Sequence, residues 1–193
     1  MTGRPRQFDW PRLCTLFLAA TLIALSPGAN AENSVFRITN AATRALDGVY
    51  RLDADIEYNL PPEPLEALEN GVPIAFELVI RVVRKRPWLP DEAVATLLQQ
   101  YRLKYHSLTE LYLVTNLNSG ERRSYPTMRS ALREMGKVRN LPIIDIGLLE
   151  SGQDYQVELK VGLDIEALPA PLRLLAYLSS DWWTSSEWVK WQL

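Results

Sequence analysis

Along much of the chain apolar and polar positions alternate one for one, and between these stretches stand short segments whose apolar positions recur at three and four. Alternation puts successive side chains on opposite faces of a strand, whereas the i, i+3, i+4 spacing lines one face of a helix. Strand character marks VFRIT (35–39), VYRLDADIEY (49–58), PIAFELVIRVV (73–83), YRLKYHS (101–107), ELYLVTNL (110–117), LPIIDIGLL (141–149), YQVELKVGLDI (155–165) and EWVKWQL (187–193). These segments concentrate the β-branched and aromatic residues that suit a pleated surface. In YQVELKVGL, Tyr155, Val157, Leu159, Val161 and Leu163 take one face while Gln156, Glu158 and Lys160 take the other, which predicts one packed and one wet side.

Four short helices are predicted between the strands. In PTMRSALREMG, Met128, Ala131, Leu132 and Met135 share a face, with Thr127 as N-cap and Gly136 as the stop. Similar units are PPEPLEALENG (61–71), closed by Gly71, LPDEAVATLL (89–98), and PLRLLAYL (171–178), which opens on Pro171. Eight strands with short helices in their connections predict a mainly β protein, an antiparallel β-sandwich of immunoglobulin-like layout, with an α+β sheet as the alternative.

The first 31 residues follow neither pattern. Arg4, Arg6 and Arg12 precede an uncharged run from Leu13 to Leu25, and Ala29-Asn30-Ala31 then offers a small-x-small cleavage site. Thirteen residues of helix extend about 20 Å, short of the roughly 30 Å hydrocarbon core. The expectation is a signal peptide over 1–31, cleaved after Ala31, and a single domain over 32–193 in the periplasm; the alternative is an uncleaved anchor in the inner membrane. The one cysteine, Cys14, lies inside this leader, so a mature chain would carry no disulfide framework, thiolate metal site or cysteine nucleophile.

Without the leader, the 21 basic and 23 acidic residues of the whole chain become 18 and 22, a net charge near −4. That balance argues against a nucleic-acid partner. His106 is the sole histidine, and no G-x-S-x-G elbow, phosphate-cradling glycine loop or calcium-loop spacing occurs. No catalytic residue, metal site or cofactor is therefore assigned, and the expectation is a protein without enzymatic activity.

Two places concentrate candidate binding residues. In RKRPWLPDE, Arg84, Lys85 and Arg86 meet Trp88, either as an exposed basic-aromatic edge for an acidic partner or anionic headgroups, or as a charged strand end with Trp88 packed down as a plug. In SDWWTSSEWVKWQL the alternation turns Trp191 inward and Trp188 outward along the Lys190 stem. Trp182 and Trp183 are adjacent, so an extended chain buries at most one of them. Trp182, Trp183 and Trp188 are thus the candidate stacking faces for a small ligand or glycan.

LEALENGVPI at 65–74, RKRPW after the long strand, YHSL at 105–108, ALREMG at 131–136, LPAPLR at 168–173 and the spaced D-W-x-x-x-S-x-W from Asp181 to Trp188 occur in one order. This series resembles a family of exported proteobacterial proteins of unassigned function, DUF4390. The resemblance implies a periplasmic or membrane-facing protein of Gram-negative bacteria, in a family whose genes look as though they often lie near one for a membrane-bound nitrogen-type sensor kinase. It supplies no catalytic residues. The resulting expectation is an interaction or accessory module of the cell envelope whose partner is another envelope protein, the extracytoplasmic part of an inner-membrane sensor kinase being the candidate. A membrane surface is the other candidate contact, and a glycan-binding module is the alternative function.

Overall fold

The leading hairpin shows how a short turn fixes a long strand. Asp47 and Gly48 both take positive φ, 51° and 76°, between Leu46 and Val49, which face each other across the turn. This is the conformation an Asp-Gly two-residue hairpin favours. It carries β1 (Phe36–Leu46) through TNAATRAL, well beyond the five residues that alternation alone marks. The computed structural model describes residues 36–193, so the predicted leader lies outside the described residues. After β2 (Val49–Tyr58) come α1 (Pro62–Glu69), β3 (Ile74–Arg84), β4 (Glu92–His106), β5 (Leu111–Asn116), β6 (Arg122–Tyr125) and α2 (Met128–Met135). The chain ends with β7 (Lys137–Asp145), β8 (Tyr155–Leu163), α3 (Ala170–Ala176) and β9 (Val189–Gln192).

These strands form two antiparallel sheets, one in the order β1-β2-β7 and one in the order β6-β5-β4-β3-β8-β9. The molecule is mainly β, as the alternation predicts, with its short helices in the connections. Three strands against six, four of them a consecutive meander, is an arrangement of its own; it does not repeat the four-against-three order of an immunoglobulin constant domain. One hydrophobic core joins the inner faces: Leu52, Ala54 and Ile56 of β2 pack with Phe76, Leu78, Ile80 and Val82 of β3 and Val157, Leu159 and Val161 of β8. Phe36, Tyr58 and Phe76 close one end, Tyr58 standing edge-on to both phenylalanines at 5.2 and 5.1 Å.

One predicted helix is a strand. Residues 92–98, inside the LPDEAVATLL segment, form the first half of β4 and pair with Arg84–Val79 of β3. Ala and Leu favour helix weakly, but Ala95 and Leu97 reach the core only from an extended chain beside β3, whose side chains are largely buried. The other predicted helices form. Thr127 caps α2, its hydroxyl oxygen accepting the Ser130 N–H at 3.1 Å, and Gly71 ends the α1 turn at φ 82°. Gly136 ends α2 for a different reason. A Cβ there would lie 2.1 Å from the Ile56 carbonyl oxygen, so only glycine lets the helix end meet β2, where Ile56 N–H donates to Gly136 O at 2.9 Å.

Candidate functional site

The aromatic C-terminal stretch runs antiparallel along the β8 edge of the six-stranded sheet, just ahead of β9. Leu163 N–H donates to Thr184 O and Ser186 N–H to Val161 O, at 3.1 and 2.8 Å. Between them Gly162 faces Ser185, where an added Cβ would sit 3.3 Å from the Ser185 side chain. The buried Ser186 hydroxyl accepts the Val161 N–H at 3.1 Å and donates to Glu187 O at 2.9 Å. This staple carries Trp183 on one side of it and Trp188 on the other, and between them lies a cleft of about 430 Å³.

The four C-terminal tryptophans divide by role. Trp182 is buried, and its indole N–H donates to Glu63 of α1 at 3.1 Å, while the neighbouring Asp181 carboxylate accepts the Glu63 backbone N–H at 3.4 Å. Trp183 turns the other way and is 59% exposed. One ring is inside and one outside, as adjacency predicts, but the chain here is a 3₁₀ turn over Ser180–Trp183 and not the extended segment expected. Trp191 packs against the core and reaches across to the other sheet, its N–H donating to the Thr43 hydroxyl at 3.1 Å. Trp188 faces outward, but Lys190 is engaged by Glu158 at 2.7 Å. The cations on the Trp188 ring are instead Arg81, 4.5 Å from the centroid, and Lys160, at 5.9 Å. The ladder explains the lysine: Val189 pairs with Leu159, so the preceding Trp188 falls beside Lys160, while Arg81, which pairs with Glu158, reaches the ring diagonally from β3.

The cleft floor carries both signs of charge. Glu77, Arg81 and Lys160 project from β3 and β8, and Asp164 follows β8. Burial pushes the Glu77 carboxyl above its ordinary value, the Asp164 carboxylate adds to the shift, and Lys160 opposes it. Asp164 accepts from the Gln100 amide at 3.0 Å and caps the following turn through Ala167 N–H at 3.2 Å. Such a floor can hold a polar or zwitterionic group under an aromatic wall.

Beside the cleft α3 leaves an apolar cap uncovered. Leu174, Leu175 and Leu178 are 71%, 63% and 86% exposed. Tyr177 joins them, its ring packed at a 49° tilt against Trp183 with centroids 5.6 Å apart, and the Trp183 N–H donates to the Tyr177 carbonyl at 3.4 Å. Tyr177 and Leu178 follow in the turn that closes α3, their N–H groups donating to Arg173 O and Leu175 O at 3.1 and 3.0 Å, so the leucines and both aromatic rings gather at the C-terminal end of the helix. The sequence carried a signal for it: PLRLLAYL is apolar around more of the helix than one buried face can use.

The other candidate stretch lies in the β3–β4 turn, and its charges are matched within the molecule. Arg84 stands between Glu92 and Glu150, Lys85 pairs with Asp91, and Arg86 donates to Pro90 O at 2.9 and 2.6 Å. These cations hold the Asp91 and Glu92 carboxyls below their ordinary range. Three cations therefore meet three carboxylates, and little positive charge is left to steer an acidic partner. Trp88 is 95% exposed at the turn's tip and plugs nothing. His106 is exposed at the end of β4, with its Nδ1 3.2 Å from the Thr109 hydroxyl in the following turn.

Among the described residues no helix is long and apolar enough to cross a membrane. Residues 33–192 match the family model described as a domain of unknown function, DUF4390, the family that the spaced motifs resemble. No curated protein and no solved structure matches the chain.

Proposed function

The chain belongs to the DUF4390 family, and from that premise we propose that it is a non-enzymatic module of the cell envelope that binds another protein through the cap of Leu174, Leu175, Leu178, Tyr177 and Trp183. The observation that carries this reading is the exposure of these five large apolar side chains at one corner. Contiguous exposure of this kind marks interaction sites, and aromatic rings with aliphatic neighbours supply the centre of a protein interface. Burying each leucine under a partner stabilises the complex by about 1.5–3 kcal/mol.

A protein suits the cap better than an anionic membrane. Membrane-surface helices carry Lys and Arg on their polar face, but the only charged residue of α3, Arg173, is tied to Glu166 at 3.4 Å. The Tyr177 hydroxyl also donates to Glu166. The predicted leader supports an extracytoplasmic setting, and the gene neighbourhood implied by the family resemblance supports the extracytoplasmic part of an inner-membrane sensor kinase as the partner. Crosslinking in the native envelope followed by mass spectrometry tests this. A sensor-kinase adduct that Leu174→Glu/Leu178→Glu abolishes and an Arg84, Lys85, Arg86 triple substitution preserves supports the cap. An adduct indifferent to the cap variant, or recovery of lipids and porins alone, defeats it.

The cleft favours a second reading, as a site for a glycan or small polar ligand. Trp183 is open and Trp188 forms a wall, although Arg81 already covers one face of Trp188 and would have to yield to a sugar ring. Tryptophan emission quenched by iodide and shifted by oligosaccharides supports that use; emission unmoved by any oligosaccharide defeats it.

A further inference from the structure

Pairing between β2 and β7 stops before β2 does. Its last pair is Asp55 with Lys137, and beyond it the Ile56 N–H donates to Gly136 O. From there β2 continues to Tyr58 with β1 on one side and, on the other, helix α2 instead of a strand. Between them lies a groove of about 530 Å³, within the range of sites that hold an organic ligand. Tyr58, Leu65, Met128 and Leu132 give it apolar walls, and Arg129 and Arg133 stand one helical turn apart on its α2 rim.

We infer that this groove binds an extended peptide segment of another protein, added as a short strand to the β2 edge, with an apolar side chain between Met128 and Leu132 and a carboxylate at Arg129 and Arg133. Three features converge on that occupant. Main-chain groups alternate sides along a strand, so the N–H and C=O of Tyr58 point to the same side as the Ile56 N–H, into the groove, where α2 offers no strand to pair with them. An added strand satisfies that donor and acceptor; an acyl chain leaves both unmet. Charge complementarity fixes the orientation. Arg129 and Arg133 are in no ion pair among the described residues, whereas Lys137 is held by Glu134 and Asp55 by Arg139. Glu57 on the β2 rim repels an acid placed on that side, so the ligand's carboxylate belongs on the α2 side. The groove shares no lining residue with the C-terminal cleft and stands or falls separately from the cap.

The test is selection from a displayed library of random peptides, some with free C-termini, on chain purified from cells expressing the full-length sequence. Affinity of the selected peptide is then read by fluorescence anisotropy. The expected consensus pairs an apolar residue with a nearby acidic side chain or terminal carboxylate. Arg129→Glu/Arg133→Glu, both exposed and replaceable without disturbing the core, is expected to weaken binding about tenfold or more; Met128→Glu should do the same, and Leu178→Glu should leave it unchanged. Absence of a consensus overturns the inference, as does a consensus peptide whose affinity survives the double arginine variant. So does binding of dodecyl phosphate or oleate, sensitive to that variant, where no peptide binds.

Discussion

At Ser186 a single buried hydroxyl accepts from Val161 N–H and donates to Glu187 O, tying the chain between two tryptophans to β8. Ser186→Ala leaves the Val161 N–H without its side-chain acceptor, at a cost of about 1–3 kcal/mol. Urea unfolding should show that loss, and Trp188 emission should shift to the red as its wall loosens. Glu77 gives the matching prediction in pH. Its folded carboxyl is raised above the ordinary value, so its contribution favours the fold below the unfolded value and is lost as pH rises through the folded one. Charged Glu77 is thus a liability near neutrality. Glu77→Gln should raise the melting temperature at about pH 7, with the gain fading below about pH 4; equal gains at both would show that burial does not perturb this group. The glutamate was visible in IAFELVIRVV as a charge within an apolar strand, but its Asp164 neighbour was not, because a turn 87 residues later in the chain supplies it.

Elements were legible in proportion to how locally they are determined. β2 and β8 follow from their own alternation, and α2 from its cap, its apolar spacing and its glycine. The segment 89–98 was not, since only its partner β3 makes it a strand, and RRSY of β6 has too little apolar content to announce itself. The Asp181-Trp182 turn shows the same limit. As a sequence it offers two adjacent rings; in the fold Asp181 accepts the Glu63 N–H in the first turn of α1, and the buried Trp182 donates its indole N–H to the Glu63 side chain. Trp182→Ala should therefore destabilise the protein by about 3–5 kcal/mol, the scale of a large core ring lost. Trp183→Ala, removing an exposed ring, should change stability by less than about 0.5 kcal/mol. Chemical denaturation of the two variants side by side checks the contrast.

At the scale of the whole molecule the candidate surfaces changed most between sequence and structure. RKRPW reads as either a basic edge or a charged strand end until Glu150, brought from the β7–β8 connection, completes the neutralisation of Arg84. PLRLLAYL reads as one more short packing helix until the fold leaves its leucines with nothing to cover them. The wide apolar girth of PLRLLAYL hints at the second, but which side chains end paired or uncovered depends in both cases on which distant elements arrive. The exposed cap, rather than the charged turn, is thus the surface on which a partner gains most by burying apolar area. A photo-crosslinking amino acid placed at position 178, and separately at position 88, in cells carrying the native envelope tests this most directly. The account predicts a discrete protein adduct from position 178 that disappears when Leu174 is also changed to Glu, and none from position 88. An adduct from position 88 alone, or one from position 178 that persists with Glu at 174, would contradict it.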